Sequence, residues 1–217
     1  MLLNNEFNFQ NPSFPTFVGM QVISPFFIFP NISWWTKVLN ANIVVLDAGE
    51  HFEKMTYRNR YRISGANNSI LLSVPLINGR NQHVQMKDVR IHNEEAWQTR
   101  HWRTLVSVYN RAPYFEHYQD SLKTLFETQF EYLVDVNLAA LQWVMQQMNL
   151  KFEIQQTDVY LKEYPADVKD LRNKKKSTNV FPKYYQVFED RIGFQPDLSI
   201  LDLLFSEGMG ALDKLTG

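Results

Sequence analysis

The sequence has no cysteine, no long apolar run and no phosphate-binding loop, and each absence removes a class of protein. Without cysteine in 217 residues, disulfide frameworks, thiol nucleophiles and cysteine-ligated zinc or iron–sulfur centres are excluded. No run approaches the roughly 20 apolar residues that span a bilayer, so membrane insertion is not expected. The chain also lacks a dinucleotide fingerprint and a nucleophile-elbow serine. These absences imply no cofactor, and a disulfide-free globular chain fits the cytoplasm.

An excess of one charge is also missing. The chain has 22 Lys and Arg against 23 Asp and Glu, a net charge of −1, so no strong overall field attracts nucleic acid. Hydrophobic residues make up 45 % of the chain and charged residues 21 %, near the averages of soluble folded proteins. The length suffices for one domain with a substantial core. The oligomeric state is left open.

The pattern of apolar residues predicts a single domain at residues 18–217 behind a flexible leader at residues 1–17. The leader has no basic region of the kind that begins a signal peptide. Residues 167–178 contain few apolar side chains and the run Lys174 to Lys176, which predicts a mobile basic loop. Because no aromatic residues are interleaved with these lysines, a solvated loop is favoured over a nucleic-acid patch.

Strands are predicted early in the chain and long helices in the middle. Apolar or alternating runs predict strands at residues 18–29, 43–46, 54–63, 70–76, 84–91 and 151–154. Helical periodicity predicts helices at residues 34–39, 93–111 (capped by Asn93), 118–126, 131–148 and 198–205 (ended by Gly208). The fold class is therefore α/β or α+β: a mixed sheet with an early β-hairpin, packed by a cluster of central helices, without an obvious β-α-β repeat.

Positive side chains alternate along the first predicted strand of the hairpin. In a regular strand, residues two apart share a face. The shared face holds Lys54, Arg58, Arg60 and Arg62. Guanidinium groups bind carboxylate and phosphate oxygens in a bidentate manner, so this face would suit an anionic substrate. The alternative is a solvated face whose charges pair with Glu50 or Glu53.

Two polar residues fall on predicted apolar faces. Asn59, on the other side of the same strand, either fixes a neighbouring loop or binds a substrate hydroxyl. His101 lies on the apolar stripe of its helix, where it is either a general base or a core histidine bonded to a backbone carbonyl. The remaining histidines show no metal-ligand spacing with His101, so no metal site is predicted.

Asp202 lies on the apolar stripe of the last helix. Burying an unpaired carboxylate is costly, so we expect it to meet a cation of the hairpin strand, in a pair that is either catalytic or structural. Tyr109 and Arg111 end the central helix, where each either contacts substrate or has a structural role. Tyr185 and Gln186 are expected to add polar contacts near Asp202.

Four motifs together resemble one protein family over about residues 24–208. They are Pro25 to Pro30 with Ile32-Ser33-Trp34-Trp35; Glu53 to Arg60 with Leu72-Ser73-Val74-Pro75; His101-Trp102 with Tyr109 and Arg111 to Phe115; and Tyr185 to Phe188 with Phe194 to Phe205. In this order and spacing the chain resembles the shorter branch of the WbqC-like family. Many members have His-Gln-Pro where this chain has Ser24-Pro25, so no role of that histidine is carried over.

The resemblance implies a role in making bacterial surface polysaccharide. Members of this family occur among O-antigen biosynthesis genes, and a glycine-transferring role is suggested for one of them. An aminoacyl or acyl transferase is therefore expected, acting on a small anionic or nucleotide-sugar substrate. Lys54, Arg58 and Arg60 would hold phosphate or carboxylate, His101 would be the base, and Asp202 would orient a cation. The alternative is a non-catalytic binding or scaffold protein of the same pathway.

Overall fold

The computed structural model describes residues 19–78, 83–172 and 181–216. The predicted leader at residues 1–17 and residues 173–178 of the predicted basic loop lie outside this part of the chain. The mixed α/β fold is confirmed, with a four-stranded parallel sheet and a two-stranded antiparallel one. The strands are β1 (Gln21–Pro25), β2 (Ile43–Asp47), β3 (Arg60–Ile63), β4 (Ile70–Ser73), β5 (Glu153–Thr157) and β6 (Val168–Asp170).

The other regular elements of the described residues are mainly helices. They are α1 (Ile32–Val38), α2 (Trp97–Tyr109), α3 (Phe115–Glu127), α4 (Leu133–Gln147), α5 (Glu189–Ile192), α6 (Ile200–Glu207) and α7 (Ala211–Thr216). None of the helices in the described ranges has the length and apolar content that crossing a bilayer requires. The long helices lie close to their predicted positions because their apolar stripes are regular.

A β-α-β unit begins the parallel sheet. Strands β1 and β2 run parallel, from the pair Gln21 and Ile43 to the pair Pro25 and Asp47. Parallel neighbours require a crossover connection, which the tryptophan-containing helix α1 supplies. Asp197 caps this helix from a distance, because its Oδ1 accepts a 2.8 Å hydrogen bond from the backbone N–H of Ser33. The strand, helix and strand predicted at residues 18–29, 34–39 and 43–46 form this unit.

All four strands of the larger sheet end at the same edge. The order is β5-β2-β1-β6, and every neighbouring pair is parallel. Residues 48–152, which carry the hairpin and the central helices, lie between β2 and its neighbour β5. The last strand residues, Pro25, Asp47, Thr157 and Asp170, therefore share what we call the carboxyl edge. The loops that follow β2 and β5 and the residues just after β6 converge there.

Aromatic residues fill the core between the hairpin and the helices. Phe29 packs edge-on against Tyr61, with ring centroids 5.1 Å apart, and contacts Phe126 and Trp143. Its backbone has a φ of +44°, a conformation that costs free energy in a bulky residue. Burial of its ring offsets this cost, and its carbonyl accepts a hydrogen bond from Ser199.

The first strand of the hairpin is shorter than predicted. Residues 54–59 form turns, and β3 begins only at Arg60. Met55 has a φ of +63°, which is incompatible with a continuous strand. The backbone of Tyr57 instead accepts a hydrogen bond from the N–H of Ile28. The alternation of side chains expected for residues 54–62 is therefore lost before Arg60.

Three other predictions are wrong in detail. Residues 84–91 hold a 3-10 turn at Met86–Asp88 in place of a strand. Helix α2 begins at Trp97, and the Asn93 side chain donates to the carbonyl of Phe130 instead of capping the helix. Val168–Asp170, placed in a mobile basic loop, form strand β6 beside β1, because pairing with a sheet edge outweighs local composition.

Gly208 ends α6, as predicted, and its conformation should be sensitive to substitution. It has a φ of +58°, and a Cβ atom there would lie 2.5 Å from the ring of Tyr114. We expect Gly208→Ala to lower the free energy of unfolding by about 1–3 kcal/mol, measured by chemical denaturation. Gly210→Ala is the control, since its Cβ would meet no heavy atom within 4 Å. Equal losses in the two variants would contradict this account.

Candidate functional site

A polar pocket of about 400 Å³ lies at the carboxyl edge of the parallel sheet. Its lining comes from the loops after β2, β5 and β6 and from the turns before β3. The lining residues are Glu50, His51, Phe52, Glu53, Arg58, Tyr160, Lys162 and Arg172. In α/β proteins, ligands bind in crevices outside the carboxyl ends of the strands. We call this the carboxyl-edge pocket and take it as the candidate site.

Arg172 joins the ends of two strands. Its Nη1 donates to Oδ2 of Asp47 at 2.8 Å, and its Nε and Nη2 donate to the two carboxylate oxygens of Asp170 at 3.0 and 2.8 Å. A second bond from Nη1 reaches the carbonyl of Leu161 after β5. Burial opposes ionisation of Asp170, but the hydrogen bonds from Arg172 lower its pKa overall. Asp47, Arg172 and Asp170 form the first acid–arginine–acid triad.

Arg58 forms a second triad of the same kind. Its Nε and Nη2 donate to the two carboxylate oxygens of Glu50 at 2.8 and 2.7 Å, and its Nη1 donates to Glu53 at 3.3 Å and to Thr56 at 3.1 Å. Burial raises the pKa of the Glu50 carboxyl, and the hydrogen bond from Arg58 opposes this rise. Arg58 thus pairs with Glu50 and Glu53, as the alternative expected, but it is buried in a turn and does not lie on a solvated sheet face.

The turn after β2 brings Asp47 of the first triad close to Glu50 of the second. The Oδ1 atom of Asp47 accepts hydrogen bonds from the backbone N–H groups of Gly49 and Glu50 at 3.0 and 2.9 Å, which folds the chain back after the strand. Gly49 also lets the loop after β5 approach, because a Cβ atom there would lie 2.5 Å from the carbonyl oxygen of Asp158. The two loops that line the pocket are thus in close contact.

Three further side chains line the pocket, and none of them is fixed by a bidentate carboxylate as the two arginines are. Lys162 is exposed and forms no ion pair within residues 19–78, 83–172 and 181–216. Tyr160 is 49 % exposed, and the guanidinium carbon of Arg172 lies 5.1 Å from the centroid of its ring. His51 is exposed. These groups are available to a ligand.

The predicted cationic face does not form. Because residues 54–59 are turns, Lys54 is exposed outside the pocket lining, while Arg60 is half-buried at the start of β3. Arg62 is exposed. Of the four predicted cations, Arg58 alone lines the pocket. Asn59 has a structural contact, since its amide donates to the carbonyl of Val74 at 2.9 Å.

His101 is enclosed in the core. Its Nε2 lies 3.1 Å from the carbonyl oxygen of Ser73, and its Nδ1 lies 3.1 Å from the hydroxyl of Tyr61. A carbonyl only accepts, so Nε2 carries the hydrogen and Nδ1 accepts from Tyr61. Burial lowers the pKa of His101 to about 4. This geometry matches the core-histidine alternative, and neither ring nitrogen is left for a substrate.

Asp202 is completely buried, and its carboxylate is bound by phenol hydroxyls. Its two oxygens accept hydrogen bonds from the hydroxyl groups of Tyr109 and Tyr184, the second at 2.7 Å. No Lys or Arg of the described ranges pairs with it, so the predicted cation partner is wrong. Burial raises the pKa of Asp202, and the tyrosine hydrogen bonds oppose this rise.

The hydrogen bonds continue on both sides of Asp202. The Tyr109 hydroxyl accepts from the backbone N–H of Ser64 at 3.2 Å, and the Tyr184 hydroxyl accepts from Gln186 at 2.9 Å. The Gln186 amide also pairs with both backbone groups of Gln195 at 2.8 Å. This buried network joins the end of β3, α2, α6 and the segment before α5. None of its members lines the pocket.

The two remaining candidates lie on the surface. Tyr185 is 55 % exposed, and its backbone N–H donates to Glu207 at 3.2 Å. The neighbouring Tyr184, and not Tyr185, makes the polar contact with Asp202. Arg111 is exposed just after α2. Sequence reasoning missed Asp47, although a carboxylate that ends a buried apolar strand and precedes a glycine turn is a usable signal.

The Asp202 network yields a prediction about two adjacent tyrosines. Tyr184→Phe removes one of the two hydroxyls that stabilise a buried carboxylate, so we expect it to lower the free energy of unfolding by about 1.5–3 kcal/mol. Tyr185→Phe, the control, should change it by less than about 0.5 kcal/mol. Denaturant unfolding at neutral pH measures both. A larger effect at Tyr185 than at Tyr184 would refute the network.

His101 should make stability depend on pH. Its pKa in the folded protein is about 4, against 6.5 ordinarily, so the unfolded chain binds a proton first as the pH falls. The contribution of His101 to the free energy of unfolding is complete above pH 6.5. It falls by up to about 3 kcal/mol as the pH is lowered toward 4. His101→Gln should therefore flatten the curve of unfolding free energy against pH, and His117→Gln, at an exposed position, should not. Parallel curves for wild type and His101→Gln would disprove this.

Comparison with known protein families covers the whole pocket but only part of the Asp202 network. A family model, described as the WbqC-like protein family, matches residues 26–179. The matched range includes every residue that lines the pocket, whereas Tyr184, Gln186 and Asp202 follow it. No curated protein and no solved structure matches the chain. Since the match covers most of its residues, the chain belongs to the WbqC-like protein family.

Proposed function

We propose that this protein acts in the cytoplasm in bacterial surface-polysaccharide biosynthesis, where it binds a sugar intermediate in the carboxyl-edge pocket. Family membership supports the pathway, because WbqC-like proteins occur among O-antigen biosynthesis genes. The observation that carries the binding proposal is the pair of triads. Arg58 and Arg172 have side chains only 5 % and 7 % exposed, yet both line an open pocket.

The two triads are preorganised for binding a polar ligand. Burying a charged group is costly unless its partners are fixed, and here each guanidinium is fixed by a bidentate carboxylate. Groups that are already held lose little conformational entropy when a ligand arrives. Lys162 and Tyr160 add an ammonium donor and an aromatic face. Binding of a small polar compound is the function that this geometry supports best.

A transfer reaction in the same pocket is the second candidate, and His51 favours it. His51 is the one imidazole that the described lining contains, whereas His101 has both nitrogens engaged. In acyl transfer, the bond between the acyl carbon and its activated donor breaks as a bond to a sugar oxygen or nitrogen forms. His51 would take the proton that the attacking group gives up.

Complementation of a host strain that lacks the gene tests the proposal. Lys162→Ala should reduce the amount of modified polysaccharide, since loss of a charged donor weakens binding by about tenfold or more. Lys151→Ala is the control, because Lys151 is also exposed but precedes β5 at the opposite edge of the sheet. Mass spectrometry of the polysaccharide gives the readout. A deletion strain with normal polysaccharide would refute the pathway assignment.

The same strains separate binding from catalysis. If the transferase candidate is correct, His51→Gln should abolish the modification while the purified variant keeps its melting temperature and its ligand affinity. Normal polysaccharide with His51→Gln would rule out this residue as the base. Loss of modification with Lys162→Ala alone would favour the non-catalytic binding protein.

A further inference from the structure

Arg58 uses four of its five N–H donors within the protein. A guanidinium has one hydrogen on Nε and two on each terminal nitrogen. The Nε hydrogen and one Nη2 hydrogen go to Glu50, and the two Nη1 hydrogens go to Glu53 and Thr56. The second Nη2 hydrogen has no acceptor within the described ranges of the chain.

Arg172 repeats this pattern with different partners. Its Nε hydrogen and one Nη2 hydrogen go to Asp170, and its two Nη1 hydrogens go to Asp47 and the carbonyl of Leu161. Again the second Nη2 hydrogen meets no acceptor in the residues that the structure describes. Buried donors are nearly always satisfied, so the pocket holds two strong donors that a ligand oxygen can complete.

The charges around the pocket decide whether a charged or an uncharged ligand oxygen is the better acceptor for these two donors. The two triads contain four carboxylates and two guanidinium groups, and Lys162 adds one positive charge. Each guanidinium is therefore already bonded to two carboxylates, which largely neutralise its charge before a ligand binds. A diphosphate would bring at least two more negative charges close to Glu50 and Glu53, where partial burial strengthens the repulsion. The donors are therefore better matched to an uncharged acceptor.

A sugar hydroxyl fits both members of each acid–arginine pair. A hydroxyl accepts with its lone pairs and donates its hydrogen. It can thus accept from the Nη2 hydrogen of Arg58 and donate to the adjacent carboxylate, and a second hydroxyl can do the same beside Arg172. Phosphate oxygens can only accept in their ionised form. A ligand with several hydroxyls can use these donors and acceptors together.

Tyr160 supplies the complementary apolar contact. Its ring contacts the Arg172 guanidinium at 5.1 Å from the centroid, yet half of the residue remains exposed beside the pocket. The cation–π contact holds the ring in place. An aromatic face next to hydrogen-bonding groups suits a pyranose, whose ring has one face of C–H groups and a rim of hydroxyls.

We infer that the carboxyl-edge pocket recognises an uncharged, polyhydroxylated sugar ring, with Tyr160 under the ring and Arg58, Arg172 and Lys162 donating to its hydroxyls. Any phosphate of an activated sugar stays outside the pocket. This inference rests on the proposed function and specifies its ligand. It replaces the phosphate-binding role that the cationic residues suggested in the sequence.

Ligand-observed NMR titrations of the full chain test the inference. The probes are the methyl glycosides of glucose, galactose and N-acetylglucosamine, the UDP-linked forms of the same sugars, and UDP alone, at 50 and 300 mM salt. At least one sugar should bind in both forms with Kd values within about threefold of each other. Its Kd should change less than about threefold between the two salt concentrations, and UDP alone should not compete.

Variants of Tyr160 test the stacking contact. Tyr160→Ser should weaken binding of the glycoside about tenfold, because the aromatic face is lost, while Tyr160→Phe should stay within about twofold. Tyr114→Ser is the control, since Tyr114 is similarly exposed but lies at the start of α3. Thermal melting confirms that each variant is folded. Unchanged affinity in Tyr160→Ser would overturn the assignment of the ring.

The opposite results separate this inference from the proposed function. Tighter binding of the UDP-linked form by tenfold or more, competed by UDP and weakened by salt, would show that the pocket binds phosphate. The inference would then be overturned, but the proposed function would stand. If no probe binds while Lys162→Ala still abolishes the polysaccharide modification, the inference is again overturned and the proposed function again stands. No binding together with normal polysaccharide in the deletion strain would overturn both.

Discussion

The carboxyl edge is held together by the buried guanidinium of Arg172. It bonds to Asp47 at the end of β2, to Asp170 at the end of β6 and to the carbonyl of Leu161 after β5, so one side chain joins three segments of the chain. Hydrogen bonding with two carboxylates makes this charge tolerable in a poorly solvated position. Without it, Asp47 and Asp170 would lose their positively charged partner, and the segments that line the pocket would lose their common anchor.

The protein stabilises its buried acids in two different ways. At the carboxyl edge, arginines bind the acids with bidentate hydrogen bonds and leave a polar surface open to solvent. In the core, Asp202 is bound by two tyrosine hydroxyls, which carry no charge and bring apolar rings with them. The first arrangement suits recognition, because charged donors remain at a pocket. The second suits packing, because the hydroxyls satisfy the carboxylate while the rings extend the aromatic core.

Local patterns in the sequence predicted the elements better than the site. The long helices, β2 and the glycine end of α6 follow from apolar periodicity and turn chemistry. The pocket does not, because its contacts are between distant residues: Asp47 and Arg172 are 125 positions apart. Composition placed Arg172 among solvated lysines, although tertiary partners bury it. His101 and Asp202 were singled out correctly as unusual, but their partners, Tyr61 and Tyr184, carried no local signal.

The separation of the two halves of the pocket has a consequence for folding. One wall comes from residues 50–58 and the other from residues 160–172, and the central helices lie between them in the chain. Contacts of such long range close large loops, which is entropically costly and slow. Helices α2 to α4 can form from local interactions well before β5 and β6 join the sheet. The pocket is therefore assembled late, and only a chain that has completed its fold can hold a ligand.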